Sequence, residues 1–126
     1  MNDNTTTERR ESTRFLVEGN AIAVLGPLSE GLGQVIELSL SGFSFLYDGK
    51  EEVPAKMERD LTFFGFETIC LGLVPMTTVS DQPVREDGAT TVRRLGIRFD
   101  TLTPEQRAQL KRFIYDNAYI EVSDEG

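Results

Sequence analysis

The sequence predicts a small, mostly-β protein in which six or seven short antiparallel strands form a barrel and a C-terminal helix packs on it. Two patterns support this prediction. Short apolar runs are separated by Gly-rich or polar turns, and one late segment has its apolar residues at helical spacing. The chain has 126 residues, of which 39% are hydrophobic and 27% charged. That length is typical of one domain, and that composition is typical of a globular fold.

Seven runs have the length and pattern of β-strands, with turn-forming residues between them. Many short strands with close turns are typical of a closed or nearly closed barrel. The polar segment 80–90 is expected to be a loop between the last two strands. The predicted strands are 15–18, 21–25, 34–40, 43–47, 60–66, 68–79 and 91–99.

The last element has different signals. Segment 103–106, Thr-Pro-Glu-Gln, is a capping box in which Thr103 is the N-cap, proline takes the first helical position and Gln106 follows three residues later. This pattern predicts an amphipathic helix that ends at about Asn117 and packs on the barrel. Its apolar face is formed by Leu110, Phe113 and Ile114.

Charge argues against two classes of partner. Acidic residues outnumber basic ones by 21 to 13, which gives a net charge of −8. We therefore do not expect a nucleic acid polymer or an anionic membrane surface as a partner. We also expect no membrane span, because Glu67, Pro75 and two glycines interrupt the most hydrophobic stretch, 61–79. A small anion can still bind where basic residues cluster, because the local potential decides this.

The residue types present argue against an enzyme. The chain contains no histidine, which removes Ser-His-Asp and Cys-His catalysis and the commonest zinc ligand. The acidic pairs Glu51-Glu52 and Glu86-Asp87 lie in predicted loops, where solvated charge is the simpler interpretation. We therefore expect no catalytic residues, no metal site and no cofactor.

The single cysteine, Cys70, excludes a disulfide framework. It lies in the apolar run 68–74, so we expect a buried hydrophobic side chain and not a reactive thiol. The polar segment 1–20 contains no continuous apolar stretch, so we expect no secretory signal. These features predict a cytoplasmic protein.

Basic residues are densest just before the first predicted strand, where Arg9, Arg10 and Arg14 lie within a short segment. A guanidinium group has a planar fork that binds phosphate through two parallel hydrogen bonds or stacks on a base. It can also bind guanine O6 and N7 as a bidentate pair. These three arginines are therefore candidate ligand contacts, with solvated surface charge as the simpler alternative.

A second cluster is segment 37–42, Glu-Leu-Ser-Leu-Ser-Gly, at the end of a predicted strand. Strand alternation predicts that its two leucines face the core, while Glu37, Ser39 and Ser41 share the outward face. Gly42 then permits a turn or a close approach that a side chain would obstruct. A carboxylate and a hydroxyl on that face could read the donor edge of a base. Taken alone, such a segment is usually an exposed strand and its turn.

Together and in this order, the two clusters resemble the PilZ domain, a bacterial receptor family for cyclic di-GMP (c-di-GMP). The family carries an RxxxR motif, which Arg10 and Arg14 match, followed by a (D/N)xSxxG motif, which Ser39 and Gly42 match. Segment 95–107 is similar to the last strand and helix start of the family. The likeness extends from about residue 8 to residue 114, nearly the whole chain.

The resemblance implies a six-stranded barrel with a C-terminal helix, and a ligand held between the arginine segment and the outer face of a strand pair. Arg10 and Arg14 would bind phosphate and guanine. Arg9 directly precedes the motif, and in the family an arginine there accompanies binding of a stacked pair of ligand molecules. Ser39 and the backbone of Gly42 would meet the ligand from the strand side.

One position departs from the family pattern, because Glu37 stands where the family has Asp or Asn. The charge is kept, but the added methylene moves the carboxylate by about 1.5 Å, a C–C bond length. Two interpretations follow. The chain is either a c-di-GMP receptor that signals by ordering its arginine segment over the ligand, or a degenerate PilZ-like adaptor that binds proteins without the nucleotide.

The expected organisation is a disordered tail at 1–8, a PilZ-like domain at 9–120 and a short tail at 121–126. In either interpretation we expect a protein partner, whose identity the sequence does not disclose.

Overall fold

The structure is a computed structural model that describes residues 14–17, 21–26, 31–47, 53–87 and 90–121. Within these ranges the chain forms eight strands and one helix. The strands are β1 (Phe15–Val17), β2 (Ile22–Gly26), β3 (Leu32–Leu38), β4 (Gly42–Tyr47), β5 (Lys56–Phe64), β6 (Thr68–Asp87), β7 (Thr90–Phe99) and β8 (Ala118–Glu121), and the helix is α1 (Pro104–Asn117).

Six of these strands close an antiparallel barrel in the order β2-β5-β6-β7-β4-β3, and β3 pairs again with β2. The closing pairs include Val24 with Leu32 and Ile22 with Gln34. β1 continues along the same edge of β3, where Phe15 pairs with Leu38, and β8 pairs with the other side of β1. The predicted barrel with a C-terminal helix is confirmed, with β1 and β8 as an added strand pair.

Most strand boundaries differ from the predicted ones by one or two residues, and three differences are important for the fold. β3 ends at Leu38 and does not reach residue 40, and β5 begins four residues early, at Lys56. The predicted loop 80–90 is wrong, because β6 continues through residues 80–87 and pairs with β7 up to Asp87 and Thr90. Backbone pairing with β7 makes this polar segment a strand, and exposed strands and loops have similar composition.

The core is filled by the inward-facing residues of the six barrel strands and one face of α1. Its centre is aromatic: the rings of Phe43 and Phe63 meet edge to face at 5.2 Å, and Phe63 lies 5.4 Å from Phe113 of α1. Such aromatic pairs contribute about 0.5–1.5 kcal/mol beyond the burial of their area. The helix is therefore an integral wall of the core.

Helix α1 begins as the sequence predicts. The backbone N–H of Gln106 donates to Thr103 Oγ1 at 3.0 Å, and the Thr103 N–H donates to Gln106 Oε1 at 2.9 Å, which completes the capping box. Gln106 Nε2 also donates to the Leu71 carbonyl at 2.8 Å, so the cap fastens the helix to β6. The predicted apolar face is confirmed, since Leu110, Phe113 and Ile114 are buried.

The far end of α1 is fastened by Asn117, which is buried. Its Oδ1 accepts the backbone N–H of Phe66 at 2.7 Å, and its Nδ2 donates to the Phe113 carbonyl at 2.9 Å. The amide therefore satisfies a turn donor and a helix carbonyl at once.

The prediction for Cys70 was wrong. Its thiol is exposed, because Cys70 pairs with Thr62 on the outward face of the β5–β6 sheet while the next residue, Leu71, is buried. The apolar run 68–74 is thus a strand with alternating faces and a bulge, where Gly72 has a φ of 80°.

Among the residues that the structure describes, no helix is long and apolar enough to cross a membrane.

Gly42 begins β4 at a position where its backbone lies very close to that of the neighbouring strand β7. It pairs with Arg98, and a Cβ atom at residue 42 would collide with the carbonyl oxygen of Ile97. Since that oxygen belongs to the backbone, no side-chain rotation could relieve the collision. The fold itself therefore requires glycine here.

We predict that Gly42→Ala lowers the free energy of unfolding by about 1–3 kcal/mol, because the β4 and β7 backbones must separate. Urea denaturation measures this. The matched control is Gly26→Ala, where the new Cβ would lie 3.7 Å from the Asp60 Cβ, an ordinary contact. Equal stability of the two variants would contradict the packing argument.

Candidate functional site

A groove with a volume of about 380 Å³ lies on the outer face of the barrel, where β3, β4, β7 and β6 run side by side. This volume is within the range of about 300–1,000 Å³ that is common for small-molecule sites. The groove is lined by Arg14, Glu37, Leu38, Ser39, Ser41, Gly42, Phe43, Ser44, Val79, Ser80, Arg94, Gly96, Ile97 and Arg98.

Glu37 faces this groove because β3 contains a bulge. Val35 pairs with Phe45 and Leu38 pairs with Phe43, so two residues of β3 oppose a single residue of β4 between these pairs. The extra residue lets Val35 and Leu38 both point into the core. Glu37 instead pairs with Ser44 on the outer face, where its carboxylate reaches the groove.

The Glu37 carboxylate bridges two arginines from distant parts of the chain. Oε1 lies 3.4 Å from Nη1 of Arg14, and Oε2 lies 3.3 Å from Nη2 of Arg94. The Glu37 side chain is 19% exposed, whereas Arg14 and Arg94 are 47% and 41% exposed. Solvent screens such pairs, so their contribution to folding is small. Their importance lies in fixing charged groups at the groove.

The turn after β3 is built around Ser39, which is only 3% exposed. Its Oγ accepts the backbone N–H groups of Ser41 and Gly42 at 3.1 and 3.2 Å, and it lies 2.9 Å from the Ser41 hydroxyl. The backbone also closes the turn, because the Ser39 N–H donates to the Gly42 carbonyl at 2.8 Å. Ser39 therefore acts locally as a side-chain cap of the turn.

The predicted outward row of Glu37, Ser39 and Ser41 was wrong for Ser39. Because β3 ends at Leu38, strand alternation does not extend to Ser39, which turns inward, and Ser41 is exposed while Leu40 packs partly on the core. A local turn centred on the Ser39 hydroxyl replaces the strand at this point, and strand periodicity does not predict such a turn.

The floor of the groove is a row of small residues across three strands, since Gly96 of β7 pairs with Ser44 of β4 and with Ser80 of β6. A Cβ atom at Gly96 would collide with the Ser80 hydroxyl. Arg98 lies two residues further along β7 and pairs with Asp100 at 3.4 Å. The floor is thus narrow, polar and bordered by guanidinium groups.

The groove residues that were not predicted include Arg94, Arg98 and Ser44. A signal for the two arginines exists, because Leu95, Ile97 and Phe99 are apolar and buried, which places residues 94, 96 and 98 on the outer face. The β4–β7 pairing that brings this face beside Glu37 is a long-range feature that the sequence pattern does not contain.

The predicted site residues fall into three groups. Arg9 and Arg10 lie outside the described residues, and Arg14 and Glu37 meet at the groove. Ser39 and Gly42 line the groove while they also maintain its turn. Within the described ranges, no group of three or more His, Cys, Asp or Glu residues could hold a metal ion. The site can offer guanidinium donors to an anion and a carboxylate acceptor to donor groups.

Structures of known proteins share this fold. The PilZ domain of YcgR from Escherichia coli with c-di-GMP matches with a TM-score of 0.61 and 20% identity, over 86% of this chain and 90% of that chain. YcgR from Escherichia coli in complex with c-di-GMP matches with a TM-score of 0.60 and 19% identity, over 86% of this chain and 45% of that chain.

MrkH from K. pneumonia in its apo state matches with a TM-score of 0.61 and 11% identity, over 82% of this chain and 48% of that chain. The matched part is thus about half the length of the second YcgR chain and of the MrkH chain. At such identities the likeness shows a common fold. A search of curated proteins found no match.

The sequence also matches a family model directly. That model describes the PilZ domain and covers residues 8–116, which include both predicted motifs and most of the helix. The match extends over far more than half of the 126 residues. The chain belongs to the PilZ domain family.

Proposed function

We propose that this chain is a receptor that binds c-di-GMP in the groove formed by β3, β4, β7 and β6. The observation that carries the proposal is the meeting of Arg14 and Glu37, which come from the two predicted motifs and lie 3.4 Å apart at one groove of a PilZ barrel. A donor for phosphate and an acceptor for a base edge are thereby available at one site.

The chemistry of the groove suits this ligand. c-di-GMP carries two phosphates and two guanine bases, and a guanidinium group binds either the phosphate oxygens or the guanine O6 and N7. Arg14 supplies one such group at the mouth of the groove, and we assign the same role to Arg9 and Arg10, which precede it. The guanine N1–H and N2–H groups are donors that the Glu37 carboxylate can accept.

Binding would require an exchange of partners. A ligand phosphate competes with the Glu37 carboxylate for Arg14, so Arg14 moves to the ligand as Glu37 accepts the base edge. Ser39 and Gly42 would contribute by holding the turn at the shape the ligand needs, since the Ser39 hydroxyl already accepts two backbone N–H groups.

We further propose that the signal is the ordering of the arginine segment over the ligand. Charge neutralisation between guanidinium groups and phosphates can offset the entropy lost when a short segment is ordered. The rearranged surface would then be recognised by a protein partner. In this proposal the chain is a binding module of the cytoplasm and not an enzyme.

One observation favours the adaptor alternative. The Glu37 carboxylate contacts both Arg14 and Arg94, so it neutralises part of the positive charge that a phosphate would meet. Ser39 and Gly42 do not discriminate between the two functions, because the fold itself needs Ser39 for the turn and Gly42 for the close β4–β7 pairing. Direct binding measurements therefore decide the matter.

The first prediction concerns Arg14. Arg14→Ala should remove detectable c-di-GMP binding in titration calorimetry while the melting temperature changes little, because its side chain is 47% exposed and exposed ion pairs contribute about 0–1 kcal/mol. Arg112→Ala removes an equal charge from α1, where the side chain is 73% exposed, and serves as the control. Wild-type affinity should fall as salt rises. Unchanged affinity of Arg14→Ala would refute the site.

The second prediction concerns the arginine segment. If ligand orders it, protease should cleave between residues 1 and 15 rapidly without c-di-GMP and slowly when c-di-GMP is saturating. Mass spectrometry of the fragments measures both rates. Equal rates would mean that this segment is not the switch.

The third prediction concerns Glu37. Glu37→Ala would leave guanine donors unpaired and should weaken binding by roughly 1.5–3 kcal/mol. Glu37→Asp keeps the charge and has the family's shorter reach, so affinity should hold or rise. Three identical affinities would show that Glu37 does not touch the ligand. Binding by Glu37→Asp alone, with none in wild type, would support the adaptor.

A further inference from the structure

We propose that Arg94 is a positioning residue of the c-di-GMP site, which holds the long Glu37 side chain in the orientation that the ligand requires. This inference rests on the proposed function, and it explains how a glutamate can occupy the position where the family has Asp or Asn. It assigns a role to a residue outside both motifs.

The geometry of the carboxylate carries the inference. Its two oxygens have separate partners: Oε2 accepts from Arg94 Nη2 at 3.3 Å, while Oε1 faces Arg14 Nη1 at 3.4 Å. When Arg14 moves to the ligand, Oε1 becomes available to a guanine donor and Oε2 keeps its partner. Arg94 therefore orients the carboxylate without occupying the oxygen that the base needs.

Arg94 is better placed than Arg14 for a permanent role. It lies in β7, which pairs on both sides: Arg94 is opposite Leu46 of β4 and Gln82 of β6. Its Nη2 also donates to the Ser44 hydroxyl at 3.3 Å. Arg14, by contrast, directly precedes the three-residue strand β1. Arg94 on the paired strand thus holds one carboxylate oxygen, and a ligand phosphate can draw Arg14 away from the other.

The added methylene of Glu37 makes a positioning residue such as Arg94 necessary. Glutamate has one more rotatable bond than aspartate, so its carboxylate samples more positions and loses more entropy when a ligand fixes it. A hydrogen bond from a strand-mounted guanidinium removes that freedom before the ligand arrives, which is the effect of preorganisation on affinity. Arg98 cannot substitute, since its guanidinium pairs with Asp100.

The fourth prediction tests this role with a double-mutant cycle. Arg94→Met should weaken c-di-GMP binding about tenfold in titration calorimetry. The same change in a Glu37→Ala background should have no further effect, because Arg94 acts through Glu37. Arg94→Lys, which retains a cationic donor, should recover part of the affinity. Arg112→Met controls for net charge and should bind like wild type.

Two results would overturn the inference. An equal loss on Arg94→Met in both backgrounds would mean that Arg94 contacts the ligand directly. No loss in wild type would mean that Glu37 does not depend on it. ¹⁵N NMR of the ligand-free protein provides a separate readout. Rotation of the Arg94 guanidinium should be hindered in the wild-type protein, and this hindrance should disappear in Glu37→Ala. If the wild-type protein does not bind c-di-GMP, the proposed function is refuted. The NMR comparison then still tests the contact between Arg94 and Glu37.

Discussion

The bulge in β3 is the constraint on which the groove depends. In a regular strand Val35 and Leu38 would point to opposite faces of the sheet, yet both are buried opposite Phe45 and Phe43. Without the extra residue, the register that pairs Val35 with Phe45 would place Glu37 opposite Phe43, inside an aromatic core. Burial of an ionised carboxylate there is prohibitively unfavourable. The bulge therefore completes the core and turns the carboxylate outward in one step.

The motif residues around this bulge fall into two groups with different roles. Ser39 and Gly42 maintain the fold, the first by capping the turn and the second by allowing β4 to lie close to β7. Arg14 and Glu37 face outward, where they contact each other at the groove. A motif that reads as a single binding signature is thus partly a folding signature. Its presence identifies the fold more securely than it identifies ligand binding.

Local chemistry made part of the structure predictable. The capping box at 103–106 involves residues three positions apart, so its two hydrogen bonds could be predicted from sequence. The barrel strands and the apolar face of α1 follow from periodicity in the same way. Predictions failed where the deciding contact is distant or irregular. Ser39 leaves the alternation because β3 ends at Leu38, and Cys70 is exposed because a bulge divides its strand.

The groove could be predicted only in part for the same reason. Arg14 and Glu37 are each visible within a short motif, but Arg94 is 57 residues from Glu37 along the chain. It reaches the site through the β3–β4 and β4–β7 pairings. The segment 80–87 was also misassigned, since a polar ribbon strand differs from a loop in its hydrogen bonds and not in its composition.

In the function that we propose, the outward Glu37 carboxylate between guanidinium groups selects a guanine-bearing cyclic dinucleotide. The most direct measurement is paired titration calorimetry of the wild-type protein with c-di-GMP and with c-di-AMP. Both ligands carry the same charged ring, but adenine lacks the N1–H and N2–H donors that Glu37 would accept. We expect saturable binding of c-di-GMP and binding of c-di-AMP that is weaker by at least about tenfold. No binding of c-di-GMP, or equal binding of the two ligands, would refute selection of guanine by Glu37.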